Sequence, residues 1–122
     1  MKIRKLTPML WTEELQESIT FYTEILGFAC VEYNEEWQWA CLQKDEAELM
    51  LAYPNRHTHY GKIGFSGSFY FETEDVQALW EQLKDTVEVV YGLEAFEWDM
   101  KEFAIKDNNG YLLQFGEHLN NE

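Results

Sequence analysis

Residues that build metal centres or disulfide frameworks are scarce in this 122-residue chain, which has two cysteines and three histidines. Cys30 and Cys41 are too few for a disulfide framework and lack metal-motif spacing, so they read as small buried thiols. Basic residues are scarce too: nine Lys and Arg face 23 Asp and Glu, for a net charge of -14. Such a charge repels phosphate backbones and anionic bilayers, which argues against nucleic acid and membrane surfaces as partners. Its simplest meaning is solubility, and its sharper one is attraction of a cationic ligand to an acidic groove. No apolar run approaches the roughly 20 residues of a membrane helix. The basic start, Met1 to Lys5, is interrupted by Thr12-Glu13-Glu14 before a signal-peptide core forms, so a cytoplasmic address is expected.

What the chain does have is apolar and aromatic bulk, 46% and 16% of its residues, enough for one domain with a real core. Lys2 to Trp11 reads as a first strand, with Pro8 placing it at an edge, at a bulge or toward a partner chain. From Thr12 as N-cap, Leu15, Ile19, Tyr22 and Leu26 recur at helical spacing, and Gly27 ends the helix. Strands are expected over Ala29 to Tyr33, Trp37 to Gln43 and Ala47 to Tyr53. Pro54 to Gly67 is turn-rich and reads as an internal linker. A strand from Ser68 to Glu72 follows, then a helix capped by Asp75 with Val76, Leu79, Trp80 and Leu83 on its apolar face. Further strands are expected near Glu88 to Tyr91, Glu97 to Met100 (extended or bent into Lys106) and Tyr111 to Gly116. Asn109-Gly110 has the composition of a two-residue hairpin turn before that last strand.

Ile19, Tyr22 and Leu26 match Val76, Leu79 and Leu83 at identical offsets, and each helix precedes about three strands. The expected fold is therefore α+β: two βαβββ repeats forming a curved mixed sheet, helices outside and a central cleft. The expected divisions are 1–53 for the first unit, 54–67 for the linker, 68–118 for the second unit and 119–122 for a tail.

Glu14 to Tyr22, Leu26-Gly27-Phe28 and Asp107-Asn108-Asn109-Gly110-Tyr111, together with the repeat, resemble the vicinal oxygen chelate superfamily of glyoxalases, extradiol dioxygenases and bleomycin-resistance proteins. In its metalloenzymes the first and last strands of each unit carry His or Glu ligands. The resemblance places those positions at Thr7, Met50, Ser68 and Gln114, neutral donors that suit a divalent ion poorly. It therefore implies the metal-free, bleomycin-resistance-like branch: no cofactor, no turnover, and a homodimer that sequesters a cationic aromatic antibiotic. The alternative is a metal-dependent lyase, isomerase or dioxygenase that uses Glu48.

Strand parity gives a compatible picture from the residues alone. Thr7, Met9 and Trp11 share one face, as do Glu48, Met50 and Ala52, then Ser68, Tyr70 and Glu72, then Leu112 and Gln114. Leu49, Leu51, Phe69, Phe71, Leu113 and Phe115 take the other face and should lie under the helices. Gln114, an amide in an apolar strand, requires a polar partner or a ligand. Trp37, Trp39, Phe96, Trp98 and Phe103, interleaved with Glu35, Glu36, Glu94, Glu97 and Asp99, could stack on and attract a planar cation. The expected ligand-binding residues are Thr7, Met9, Trp39, Glu48, Met50, Ser68, Tyr70, Trp98, Phe103 and Gln114. His57-Thr58-His59 falls in the most loop-like stretch, without a Cys or Asp to complete a metal site, and His118 is expected in solvent.

Overall fold

A computed structural model describes residues 1–55, 61–64 and 67–119. The chain divides into two compact units, Met1–Lys62 and Ile63–Glu122. Each holds a four-stranded mixed sheet and a helix, so the fold is α+β and built by repetition.

In the first unit β1 (Met9–Trp11) leads to α1 (Leu15–Thr20), followed by β2 (Ala29–Asn34), β3 (Trp39–Lys44) and β4 (Ala47–Ala52). The strand order is β1-β4-β3-β2, with β1 parallel to β4 and the other pairs antiparallel. β1 is shorter than the Lys2 to Trp11 span expected from sequence. It begins after Pro8, which has no donor for the ladder but accepts from the Met50 amide through its carbonyl at 2.8 Å. Thr12 does not cap the helix in the expected way. Buried, it accepts from Glu14 N at 2.9 Å and from Ser18 Oγ at 3.1 Å, pinning the start of α1. The helix then widens into a π turn over Phe21–Ile25, marked by the Leu26 N to Phe21 O bond of 3.3 Å. Thr23 Oγ1 donates to Ile19 O at 2.8 Å, so its hydroxyl occupies a carbonyl of the normal ladder. Gly27, at φ +80°, ends the helix as expected. Leu10, Leu15, Leu42, Leu49, Leu51 and Tyr22 form the core, with Tyr22 edge-on to both Phe21 and Phe28.

The second unit repeats the plan with β5 (Phe69–Glu72), α2 (Val76–Leu83), β6 (Glu88–Ala95), β7 (Met100–Lys106) and β8 (Leu112–His118), in the order β5-β8-β7-β6. Asp75 caps α2 as its sequence predicts: at φ 54°, its carboxylate accepts from Ala78 N at 3.2 Å. Glu117 on β8 accepts from Val76 N at 3.0 Å, so a second carboxylate ties the helix start to the sheet. Trp80 from α2 packs on Phe103, which stacks on Phe115, which stacks on Phe71.

Two sequence expectations are corrected here. β6 is longer than Glu88 to Tyr91, and the β6–β7 reversal falls at Phe96 to Asp99, where a strand was expected from Glu97. The β7–β8 loop is not a two-residue turn. The buried Asp107 carboxylate gathers the amides of Asn109, Gly110 and Tyr111 at 2.8, 3.0 and 2.9 Å, and of the Asn109-Gly110 pair only Gly110 has positive φ, +103°. No helix among the described residues is long and apolar enough to cross a membrane.

Candidate functional site

The helix-free face of the second sheet carries the most organised polar chemistry. Register places Tyr91, Ala104, Gln114 and Tyr70 in one row across β6, β7, β8 and β5, and Glu94, Glu102, Gly116 and Glu72 in the next. Small residues therefore alternate with large ones, and the large ones lean over them. Tyr70 lies over Gly116 so closely that a Cβ there would strike its hydroxyl. That position delivers the Tyr70 hydroxyl to Glu102 Oε1 at 2.8 Å.

Glu102 is 2% exposed, and every donor it meets is neutral. Tyr70 Oη and Trp98 Nε1 (3.1 Å) donate to Oε1; Tyr91 Oη (2.5 Å) and, more weakly, Gln114 Nε2 (3.4 Å) donate to Oε2. Gln114 Nε2 also donates to Tyr91 Oη at 2.8 Å, and Ser68 Oγ donates to Gln114 Oε1. The amide that the sequence says must find a partner thus has three. Burial would raise the Glu102 pKa, but the donors Tyr91, Trp98 and Tyr70 outweigh it and hold the carboxyl below its usual range. Burial first, and the hydrogen bond donated to Glu102 second, push the Tyr91 phenol up to about 12 and Tyr70 upward as well. The site at neutral pH is one carboxylate ringed by protonated phenols.

The rings themselves reach solvent. Tyr70 is 45% and Trp98 56% exposed; Trp98 stacks on Phe96 with centroids 4.7 Å apart, and Phe96 meets Tyr91 edge-on. The Phe96 to Asp99 reversal folds Trp98 back toward Glu102, four residues on. Of the residues expected to bind a ligand, Ser68, Tyr70, Trp98 and Gln114 therefore meet in one hydrogen-bond network. Phe103 does not join them: it is fully buried on the opposite face between Trp80 and Phe115, because its parity on β7 is opposite to that of Glu102. Glu102 and Tyr91 were missing from the expected set. The signal for Glu102 was weaker than the one that singled out Gln114: it lies between Lys101 and Phe103, and only the residues two places away, Met100 and Ala104, are apolar on both sides.

In the first unit, Met9, Met50 and Cys41 share a row, with Trp39 and Ala52 in the next. Thr7 and Glu48 meet beside it: Thr7 Oγ1 donates to Glu48 Oε1 at 2.8 Å, Gln43 Nε2 to Oε2 at 2.6 Å, and Lys5 Nζ forms an ion pair with Oε1 at 2.6 Å. Lys5 first, then Gln43 and Thr7, lower the Glu48 pKa to about 2. Burial and then the Glu48 charge push the Cys41 thiol up, away from thiolate chemistry. His118 is exposed, its Nε2 3.7 Å from Glu72 Oε1. His57 and His59 lie outside the described residues.

A model of the Glyoxalase/Bleomycin resistance protein/Dioxygenase superfamily matches residues 5–115. The chain belongs to that superfamily. Solved structures agree on the fold. A protein of unknown function from Agrobacterium tumefaciens is 21% identical with a TM-score of 0.81, over 98% of this chain and 97% of that one. TnmS3, an antibiotic binding protein from Streptomyces sp. CB03234, is 18% identical with a TM-score of 0.76, over 97% and 98%. A lactoylglutathione lyase from Agrobacterium tumefaciens is 19% identical with a TM-score of 0.74, over 93% and 92%. No curated protein matches the chain.

Metal-dependent members make a divalent ion the natural question, and the donor chemistry does not fit one. Ser68 and Gln114 bond to each other, Thr7 donates its hydroxyl hydrogen bond to Glu48, and Met50 offers a thioether. Glu48, the carboxylate beside Thr7, already has an ammonium partner. Among the described residues no three His, Cys, Asp or Glu side chains come together as a metal would require.

Proposed function

We propose that the chain binds a small aromatic molecule without a metal ion and without turning it over. The observation that carries this reading is on the second sheet. The two positions at which the family resemblance puts metal ligands, Ser68 and Gln114, bond to each other and feed a carboxylate network. Beside them two large rings, Tyr70 and Trp98, stand open. Exposed aromatic faces held rigid by buried hydrogen bonds are suited to stacking a planar ligand at small entropic cost. The similarity of fold to TnmS3, an antibiotic binding protein, supports the reading. Sequestration of an antibiotic by a cytoplasmic homodimer is the physiological role we attach to it. The competing reading, a metal-dependent lyase, isomerase or dioxygenase, relies on Glu48, and Lys5 must leave that carboxylate before a cation can take it.

The test is a thermal-shift screen of planar aromatic compounds on protein treated with EDTA, with metal content and ligand recovery measured alongside. The expected result is a ligand that raises Tm equally with and without chelator and is recovered unchanged. A shift seen only with added divalent ion, or conversion of the compound, contradicts the proposal. Sedimentation at twice the chain mass checks the dimer.

A further inference from the structure

We infer that Glu102 makes the face formed by Tyr70, Tyr91 and Trp98 a receptor for an organic cation, one whose charge is carried by an alkylated or delocalised nitrogen. This rests on the aromatic-ligand reading above and adds the group that senses the ligand's charge. The acids expected from sequence to attract a cation, Glu35, Glu36, Glu94, Glu97 and Asp99, are all exposed, where water and salt screen them. Glu102 is not. Among the described residues no Lys, Arg or His side chain pairs with it, and its four donors leave its charge uncancelled. Buried charges are ordinarily paired, so one kept with neutral donors alone calls for an explanation.

The geometry supplies one. Each of Tyr70, Tyr91 and Trp98 aims its O–H or N–H at the carboxylate, so each ring is polarised by donating to an anion. Donation shifts electron density back onto the π system, which makes the ring faces more attractive to a cation than those of free phenol or indole. Glu102 cannot touch a ligand through its own oxygens, since four hydrogen bonds occupy them. It acts through the rings. Two of these are accessible, Tyr70 and Trp98, and Phe96 stacks on one face of Trp98 and supports the indole from behind. A compact, strongly hydrated ammonium gains little from such a face because it must shed water, whereas an alkylated or aromatic cation sheds less. Lys5 on Glu48 shows the contrasting solution in this chain, a carboxylate with its own cation and a pull satisfied from within.

The experiment compares the permanently charged N-methylacridinium with its nearly isosteric neutral parent, acridine, at pH 8, titrated into wild type, Glu102→Gln and Trp98→Leu. Glutamine preserves the shape of the carboxylate and removes its charge; Trp98 is more than half exposed, so leucine there leaves the core intact. Wild type is expected to bind the cation about tenfold more tightly than acridine. Glu102→Gln should abolish that preference while acridine affinity changes little, and Trp98→Leu should weaken the cation at least severalfold. Equal affinity for the two compounds overturns the charge assignment while leaving the aromatic-ligand reading standing. A cation preference that survives Glu102→Gln overturns it as well, as does failure of wild type to bind the cation at millimolar concentration. Should Glu102→Gln prove too unstable to titrate, Trp98→Leu decides alone, and undiminished cation affinity there is contradictory.

Discussion

Glu48 and Glu102 are both sparingly exposed carboxylates on β-strands, yet their surroundings set them to different tasks. Glu48 has the Lys5 ammonium at 2.6 Å plus two neutral donors, and its charge is cancelled locally. Because its folded pKa is lowered to about 2, it stabilises the fold above the unfolded value near 4.3, and that contribution is lost as pH falls toward 2. Acid titration of stability should therefore show a decline between about pH 4.5 and 2 that is shallower in Lys5→Met, read by urea unfolding at each pH. Lys5 is 61% exposed, so salt should weaken the effect. Gly116 is a second residue-scale test. Alanine there would collide with the Tyr70 hydroxyl, so Gly116→Ala should displace Tyr70 from Glu102 and lower stability by about 1–3 kcal/mol, with Tyr70→Phe partly relieving the clash. Denaturant midpoints of the two single variants and the double variant measure the coupling.

At the scale of elements, α2 was legible because its signals agree: Asp75 at the cap, and Val76, Leu79 and Leu83 at helical spacing with Val76 and Leu83 fully buried. Gln114's need for a partner was legible for the same reason, as an amide set among apolar strand residues. β6 was less so, because its register shifts between Val89 and Tyr91 and again between Tyr91 and Glu94, and bulges erase the alternation that reveals a strand. With the reversal at Phe96 to Asp99 misplaced, β7 lost its parity, which moved Phe103 onto the ligand face and hid Glu102. Asp107 misled in another way: its carboxylate binds three amides of the loop, work that a hairpin turn would assign to two positive-φ residues. No sequence period encodes such a side-chain clamp. Phe103 now belongs to the core, so Phe103→Ala should cost about 3–5 kcal/mol in urea unfolding, while chemical-shift changes from a bound aromatic ligand should remain on Tyr70, Tyr91 and Trp98.

Across the whole molecule, duplication gives two sheets of the same topology and lets their equivalent rows diverge. β1, β4, β3 and β2 contribute Met9, Met50, Cys41 and Glu32 to one row; β5, β8, β7 and β6 contribute Tyr70, Gln114, Ala104 and Tyr91 to its counterpart. The first row is largely soft and sulfur-rich, the second aromatic and hydrogen-bonded. The repeat could be read from Ile19, Tyr22 and Leu26 against Val76, Leu79 and Leu83. The division of labour could not, because it depends on which side chains meet across strands far apart in sequence.

On the proposal made here, binding depends on aromatic rings and needs no metal. Its most direct measurement is calorimetric titration of N-methylacridinium into EDTA-stripped protein, repeated after adding zinc or manganese. Saturable binding is expected, with a Kd unchanged by either metal and weakened at least severalfold by Trp98→Leu. Binding that appears only after metal is restored, and is indifferent to Trp98, would contradict the proposal.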